Sequence, residues 1–154
     1  MPLDASLPMT RAEAIEGYAR FLETLRDGAP TPAEAAERVR EGRRWLAIND
    51  LFYLLVAVCK RADLNTDFHF ARCREVQADC DDTLDLWARE HGKSSIITFG
   101  DTLRRILEDP EITIGIFSDV NKVAKPFLRQ IKSEMETNEN LLIQKYAFLI
   151  LATG

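Results

Sequence analysis

The chain lacks three features that would narrow its function at once: paired cysteines, a long apolar run and an excess of positive charge. Three cysteines without a C-x-x-C pair suit a reducing compartment better than a disulfide framework. The most apolar run, Leu51 to Cys59, is far shorter than the ~20 residues that cross a bilayer, and it predicts a buried helix. A formal net charge of -5 excludes a global basic field for nucleic acid. With no signal peptide in the first ten residues, we expect a cytoplasmic protein without membrane contact.

Helical signals dominate the N-terminal part of the chain. Thr10 and Glu13 form a capping-box pattern, and Gly28 provides a stop before Pro30. The same signals recur immediately, so we predict a second helix from residue 32 to about residue 42. A third, more apolar helix is predicted over residues 43–60.

A different periodicity follows in the C-terminal part. Residues 83–87 predict a short strand and residues 113–118 a buried strand, and residues 93–108 carry the apolar stripe of a helix between them. Strand, helix and strand in this order predict a right-handed βαβ unit with parallel strands. A further helix is predicted to end at about residue 137, and an apolar strand over residues 146–151 would favour self-association.

The predicted fold class is therefore α/β, with a P-loop NTPase-like βαβ core preceded by helices. Residues 1–64 form the predicted N-terminal helical region, residues 65–82 a connecting segment and residues 83–154 a partial P-loop ATPase core. Within the connecting segment, residues 68–77 could form a short helix.

A Gly-Lys-Ser triplet falls where the first predicted strand meets the helix. The first amides of a helix lack internal partners and its dipole favours anions, so a phosphate can be bound there by backbone N–H groups. Lys93 would neutralise the β and γ phosphates, and Ser94 would offer its hydroxyl to Mg²⁺. Gly92 would let the loop approach the nucleotide closely. The full phosphate-loop pattern places its first glycine at residue 87, which here is Trp.

Residues 84–138 have the sequence "LDLWAREHGKSSIITFGDTLRRILEDPEITIGIFSDVNKVAKPFLRQIKSEMETN". This segment resembles the start of the ATPase domain of large terminase subunits, the DNA-packaging motors of tailed bacteriophages and prophages. That family uses a phosphate loop written R-x-x-G-K-[ST], without the first glycine, and this accounts for Trp87. The matching positions, which the resemblance implies are nucleotide-binding, are Arg89, Glu90, His91, Gly92, Lys93 and Ser94.

The resemblance implies ATP and Mg²⁺ as cofactors, with Arg89 at the γ phosphate and Ser94 as a metal ligand. It also implies Gln77 as the nearest candidate for the glutamine that contacts adenine in many such motors. Intact family members drive double-stranded DNA into procapsids together with a small terminase subunit and a portal. This chain shows no Walker B strand and no nuclease domain. We therefore expect a truncated terminase that binds ATP without catalytic residues of its own.

The alternative is a non-catalytic prophage remnant or interaction protein whose phosphate loop is vestigial, forming a homo-oligomer or docking onto another subunit. A small P-loop kinase fits badly, because residues 119–154 supply neither an acceptor site nor an arginine-rich lid. Four cations at helical spacing could contact DNA phosphates or form a solvated face: Lys122, Lys125, Arg129 and Lys132. The spacing of His69, Cys73 and Cys80 fits no zinc pattern.

Overall fold

Helices form the secondary structure of the residues that the structure, a computed structural model, describes: 9–78, 84–117 and 121–141. Contacts divide the chain into two compact units, Met1–Arg43 and Arg44–Gly154. The α-helices are α1 (Arg11–Asp27), α2 (Pro32–Asn49), α3 (Leu51–Tyr53), α4 (Asp67–Gln77), α5 (Thr102–Glu108) and α6 (Asn121–Thr137). Two π-helical segments, Leu54–Val58 and Ser95–Asp101, continue α3 and precede α5, and Ala62–Leu64 is a 3₁₀ turn.

The start of α1 confirms the predicted capping box. Thr10 Oγ1 accepts the Glu13 N–H at 3.3 Å, and the Thr10 N–H donates to Glu13 Oε2 at 2.7 Å. These two bonds satisfy backbone donors that have no partner inside the helix. The helix ends where predicted, since the Gly28 N–H donates to the Thr24 carbonyl at 3.1 Å.

The predicted break near residue 42 is wrong, because α2 continues to Asn49. Gly42 is buried, and a Cβ there would collide with Leu25 of α1. This glycine therefore permits close packing of α2 against α1 and does not end the helix. The interruption comes at Asp50, whose Oδ1 accepts the Tyr53 N–H at 2.9 Å and caps the next helix.

The apolar run after Asp50 forms the predicted buried helix. It starts as α3 and widens into the π-helical segment Leu54–Val58. Phe52, Leu54 and Leu55 are at most 1% exposed. The Asn138 amide donates to the Val58 carbonyl at 3.0 Å, so a residue beyond α6 satisfies an acceptor at the end of the π-helical segment.

Helix α4 confirms the short helix predicted in the connecting segment. Thr66 is its N-cap, and the Thr66 hydroxyl accepts the His69 N–H at 3.3 Å. Phe70 and Cys73 lie on its buried side, and the Phe70 ring meets Phe52 edge to face at 5.1 Å. Burial raises the pKa of the Cys73 thiol to about 12.

The predicted α/β class with a βαβ P-loop core is wrong, because the described ranges contain no strand. Residues 84–88 and 112–117 are present without a strand ladder, while Thr83 and Ser118 lie outside the described residues. The helix between them buries Ile96, Phe99 and Leu103. Its π-helical part packs against α3, α4, α6 and the first π-helical segment. Other helices thus cover the apolar stripe that was predicted to lie on a sheet.

Helix α6 extends to Thr137, as predicted, and contains Pro126. Its apolar residues are only partly covered: Ile131 is 4% exposed, whereas Leu128 is 64% exposed. The strand predicted for residues 146–151 lies outside the described residues.

Candidate phosphate-binding loop

The Gly-Lys-Ser triplet lies where a left-handed turn meets a helix. Glu90 and Gly92 have φ angles of 65° and 71°, and the helical stretch begins at Lys93. Its first hydrogen bond runs from the Ile96 N–H to the Gly92 carbonyl at 2.9 Å. The N–H groups of residues 93–95 therefore have no acceptor within the helix, and the positive end of the helix dipole lies at the turn. This arrangement can bind an anion.

Two polar side chains of the loop already have partners. Lys93 Nζ donates to the Asp85 carbonyl at 3.2 Å, and Nδ1 of His91 lies 2.7 Å from the Arg89 carbonyl. Because a carbonyl can only accept, His91 Nδ1 is the protonated nitrogen in this contact. Ser94 is exposed. Lys93 must leave the Asp85 carbonyl before its ammonium group can contact a phosphate.

Gly92 packs against the elements that precede it. A Cβ at this position would be 3.0 Å from Leu64 Cδ2 and 3.1 Å from His69 Nε2. Both contacts are tight, and the left-handed φ of Gly92 disfavours any other side chain. The glycine therefore has a structural role on this side, in addition to the clearance predicted for a nucleotide.

Six of the seven predicted site residues, Arg89 to Ser94, are contiguous in the loop. The seventh, Gln77, has both ends of its amide bound at the junction of α2 and α3. Its Oε1 accepts the Leu51 N–H at 2.8 Å, and its Nε2 donates to the Asn49 carbonyl at 3.0 Å. The structure thus gives Gln77 a helix-capping role.

The predicted metal ligand, Ser94, has no cluster of further ligands to assist it. Within the described ranges, no group of three or more His, Cys, Asp or Glu side chains could bind a metal ion. A Mg²⁺ ion retains most of its ligands from water and phosphate when it binds with a nucleotide, so one serine hydroxyl is compatible with that mode. Cys80, weighed as a zinc ligand, lies outside the described residues.

The predicted cationic stripe lies on α6. Lys125, Arg129 and Lys132 are exposed, while the side chain of Lys122 lies outside the described residues. Lys132 Nζ is 3.7 Å from Glu136 Oε1, so the stripe also carries an acidic partner. None of the helices in the described ranges is both long and apolar enough to cross a membrane.

A polar cavity of about 380 Å³ lies between the end of α4 and the helix that follows the loop. Asp101, 8% exposed, lies in its wall. Arg104 and Arg105 both pair with this carboxylate, at 2.9 Å and 2.7 Å. The charge of Asp101 is therefore neutralised within the cavity wall.

Sequence analysis missed a group of aromatic and cationic side chains beside the loop. Phe68 and Arg72 of α4 lie against Trp87 and His91 of the loop segment. The sequence feature that could have indicated this group is the F-H-F motif at residues 68–70, which was interpreted only as part of a short helix.

No protein-family model, curated protein or solved structure matches this chain.

Proposed function

We propose that the chain binds ATP with Mg²⁺ through residues 89–94, as the nucleotide-binding part of a terminase large subunit. One observation supports this proposal: the R-x-x-G-K-S motif forms a left-handed turn that leads into a helix at Lys93. Backbone amides at a helix start and an adjacent ammonium group are the donors that phosphate requires. The roles proposed for Arg89, Lys93 and Ser94 are those that the terminase resemblance implies.

In this proposal the amides of residues 93–95 bind the phosphate oxygens and Lys93 neutralises them. Ser94 contributes one oxygen to the Mg²⁺ that the phosphates bring, and Arg89 lies at the γ phosphate. No Walker B motif is evident, so the proposal is limited to binding without turnover. Packaging of double-stranded DNA, together with a small terminase subunit and a portal, is a function of the intact motors that residues 84–138 resemble.

The test is a melting experiment with and without Mg-ATP. A ligand that binds only the folded chain stabilises it by about 2.7 kcal/mol at a hundredfold excess over its dissociation constant. We expect Lys93→Ala to abolish this shift and to melt normally without ligand, because the hydrogen bond that Lys93 donates to the Asp85 carbonyl is only partly buried. Lys132→Ala is the matched control, since its ammonium group is exposed on α6. An equal shift in wild type and Lys93→Ala would refute the proposal.

A second function, that of an interaction protein with a vestigial loop, is favoured by exposed apolar side chains. Leu84, Leu86 and Phe117 are 83%, 82% and 94% exposed. Such side chains outside a core are candidates for a buried interface. Concentration-dependent self-association, measured by light scattering and abolished by Leu86→Asp without any effect of Mg-ATP, would support this function. A chain that stays monomeric at all accessible concentrations would exclude self-association.

A further inference from the structure

Phe68 is the centre of an aromatic cluster beside the loop. Its ring centroid lies 5.5 Å from that of His91 and 6.3 Å from that of Trp87. The guanidinium carbon of Arg72 lies 5.6 Å from the Phe68 centroid and 5.9 Å from the Trp87 centroid. We call these four side chains the aromatic platform. It joins the start of α4 to the segment that leads into the phosphate-binding loop.

The platform is a surface feature. Phe68 is 44% exposed and His91 is exposed, whereas Phe70, two residues further along α4, is 5% exposed and packs on Phe52. Core formation therefore accounts for Phe70 and leaves Phe68 available to a ligand. A large aromatic ring at the surface, next to a cation, is suited to stacking with another planar ring.

Phe68 has the Arg72 guanidinium over its ring and edge-to-face neighbours around it, yet 44% of the residue is exposed. The plane of the Phe68 ring makes angles of 70° with the His91 ring, 75° with the Trp87 ring and 79° with the His69 ring, so each of these contacts is edge to face. Among the rings that the structure describes, those in contact with Phe68 are edge to face, and its exposed part is the surface on which a further ring could stack. A nucleobase is a planar ring that can take such a position, and stacking of this kind does not depend on a particular hydrogen-bonding edge.

Arg72 holds the platform together. Its guanidinium contacts two rings and pairs with Glu75, and its buried Nε has no hydrogen-bond partner in the described residues. A buried donor without a partner needs an explanation. A guanidinium in contact with two aromatic rings stabilises their arrangement and so fixes the surface on which a base could stack.

The platform also lies next to the proposed phosphate position. Gly92, the last residue before the helix, packs tightly against His69, and Phe68 precedes His69 in α4. His91 belongs both to the platform and to the loop. A base and its phosphates are joined by one sugar, so a nucleotide can contact both features at once.

We propose that the aromatic platform binds the base of the nucleotide, through stacking on Phe68, while the loop binds its phosphates. This inference rests on the proposed function and deepens it, because it makes the ligand a purine mononucleotide in preference to a free polyphosphate. Purines offer the larger stacking surface. Gln77, engaged at the α2 and α3 junction, takes no part in this base site.

The experiment uses Trp45→Phe as background, which leaves Trp87 as the single tryptophan of the chain and as a reporter inside the platform. Four probes are titrated in the presence of Mg²⁺: ATP, adenosine, tripolyphosphate and a single-stranded oligonucleotide. Binding is measured by Trp87 emission for adenosine and ATP, and by calorimetry for all four. Phe68→Ala is compared with Phe117→Ala, which removes a phenylalanine that is 94% exposed and is not one of the four platform residues.

We expect ATP to bind more tightly than tripolyphosphate and adenosine to quench Trp87. Phe68→Ala should weaken ATP and adenosine binding by about fivefold or more, as expected for loss of one stacked base, and leave tripolyphosphate binding unchanged. Phe68→Tyr should restore ATP binding, whereas Phe117→Ala should have no effect. Circular dichroism and melting establish that each variant is folded.

Three results would overturn the inference: no response to adenosine, equal ATP affinity in Phe68→Ala and wild type, or Phe68-dependent binding of the oligonucleotide alone. Failure of the proposed function gives a different result. In that case tripolyphosphate does not bind, or binds equally well to Lys93→Ala, while the adenosine titration still reports on Phe68.

Discussion

The Cα of Gly100 lies directly against the side chain of Leu55, so that a Cβ at residue 100 would be 2.9 Å from Leu55 Cδ2 and 3.1 Å from its Cγ. The two residues belong to the two π-helical segments, and Leu55 is fully buried. A buried leucine cannot move away freely, because its neighbours are closely packed. The absence of a side chain at residue 100 therefore sets how closely these segments approach.

Gly100→Ala should lower the free energy of unfolding. Overpacking costs about 1–3 kcal/mol, and the better helix propensity of alanine offsets roughly 1 kcal/mol of this. Gly17→Ala in α1 is the matched control, since no atom lies within 4 Å of its Cβ position, and it should stabilise by about 0.5–1 kcal/mol. Urea unfolding followed by circular dichroism measures both. Equal stabilisation by the two alanines would contradict the close contact.

Asp50 should be sensitive to the loss of its carboxylate. It is 3% exposed, caps α3 and accepts a hydrogen bond from Arg74 at 2.7 Å. Asp50→Ala should cost about 2–4 kcal/mol, because it removes both an N-cap and a charged hydrogen bond. Asp50→Asn retains the capping oxygen and should cost less than half as much. The exposed Asp27 serves as control, since Asp27→Ala should change stability by only about 0.5 kcal/mol or less.

The two left-handed residues of the loop should respond in opposite directions. Gly92→Ala should destabilise the chain by about 1–2 kcal/mol, since alanine is strained at positive φ and its Cβ would press on Leu64. Glu90→Gly should be neutral or stabilise by up to about 1 kcal/mol, because it removes the same kind of strain. Thermal melting of both variants tests the loop conformation without any ligand. Similar losses in both would show that the turn does not have this geometry.

Acid should weaken the capping box of α1. The Thr10 N–H and hydroxyl hold the pKa of Glu13 below its usual 4.5. A carboxyl with a lowered folded pKa contributes stability above its unfolded pKa and loses it as the pH falls through the folded value. The melting-temperature difference between wild type and Glu13→Gln should therefore be present at pH 7 and disappear below the folded pKa. A difference that is independent of pH would contradict this role of the charge.

Local signals predicted much of the helical structure. Three correctly predicted features depend on neighbours a few residues apart: the Thr10 capping box, the buried run after Asp50 and the helix after Gly92. The local sequence is therefore sufficient to predict them. The break near Gly42 could not be predicted correctly, because the role of this glycine depends on side chains of α1. A glycine at a helix end and one at a close helix contact look alike in a sequence.

The strands were predicted wrongly for a related reason. Short apolar segments such as residues 113–118 satisfy a strand pattern, but a strand forms only where a partner completes its hydrogen-bond ladder. In the described ranges the apolar stripe of Ile96, Phe99 and Leu103 is covered by helices. The loop motif could be recognised in the sequence. The aromatic platform could not, because Phe68 and Trp87 are distant in the sequence and come into contact only in the folded chain.

The hydrogen bond from Asn138 to the Val58 carbonyl spans 80 positions of sequence. During synthesis, at about 5–20 residues per second, roughly 4–16 s pass between the appearance of these two residues. During that interval the Val58 carbonyl lacks its hydrogen-bond donor. Ile131, which is buried in the folded chain, has not yet been synthesised. We therefore expect the second unit to complete its folding late on the ribosome, with its apolar helices exposed to chaperones until α6 has emerged.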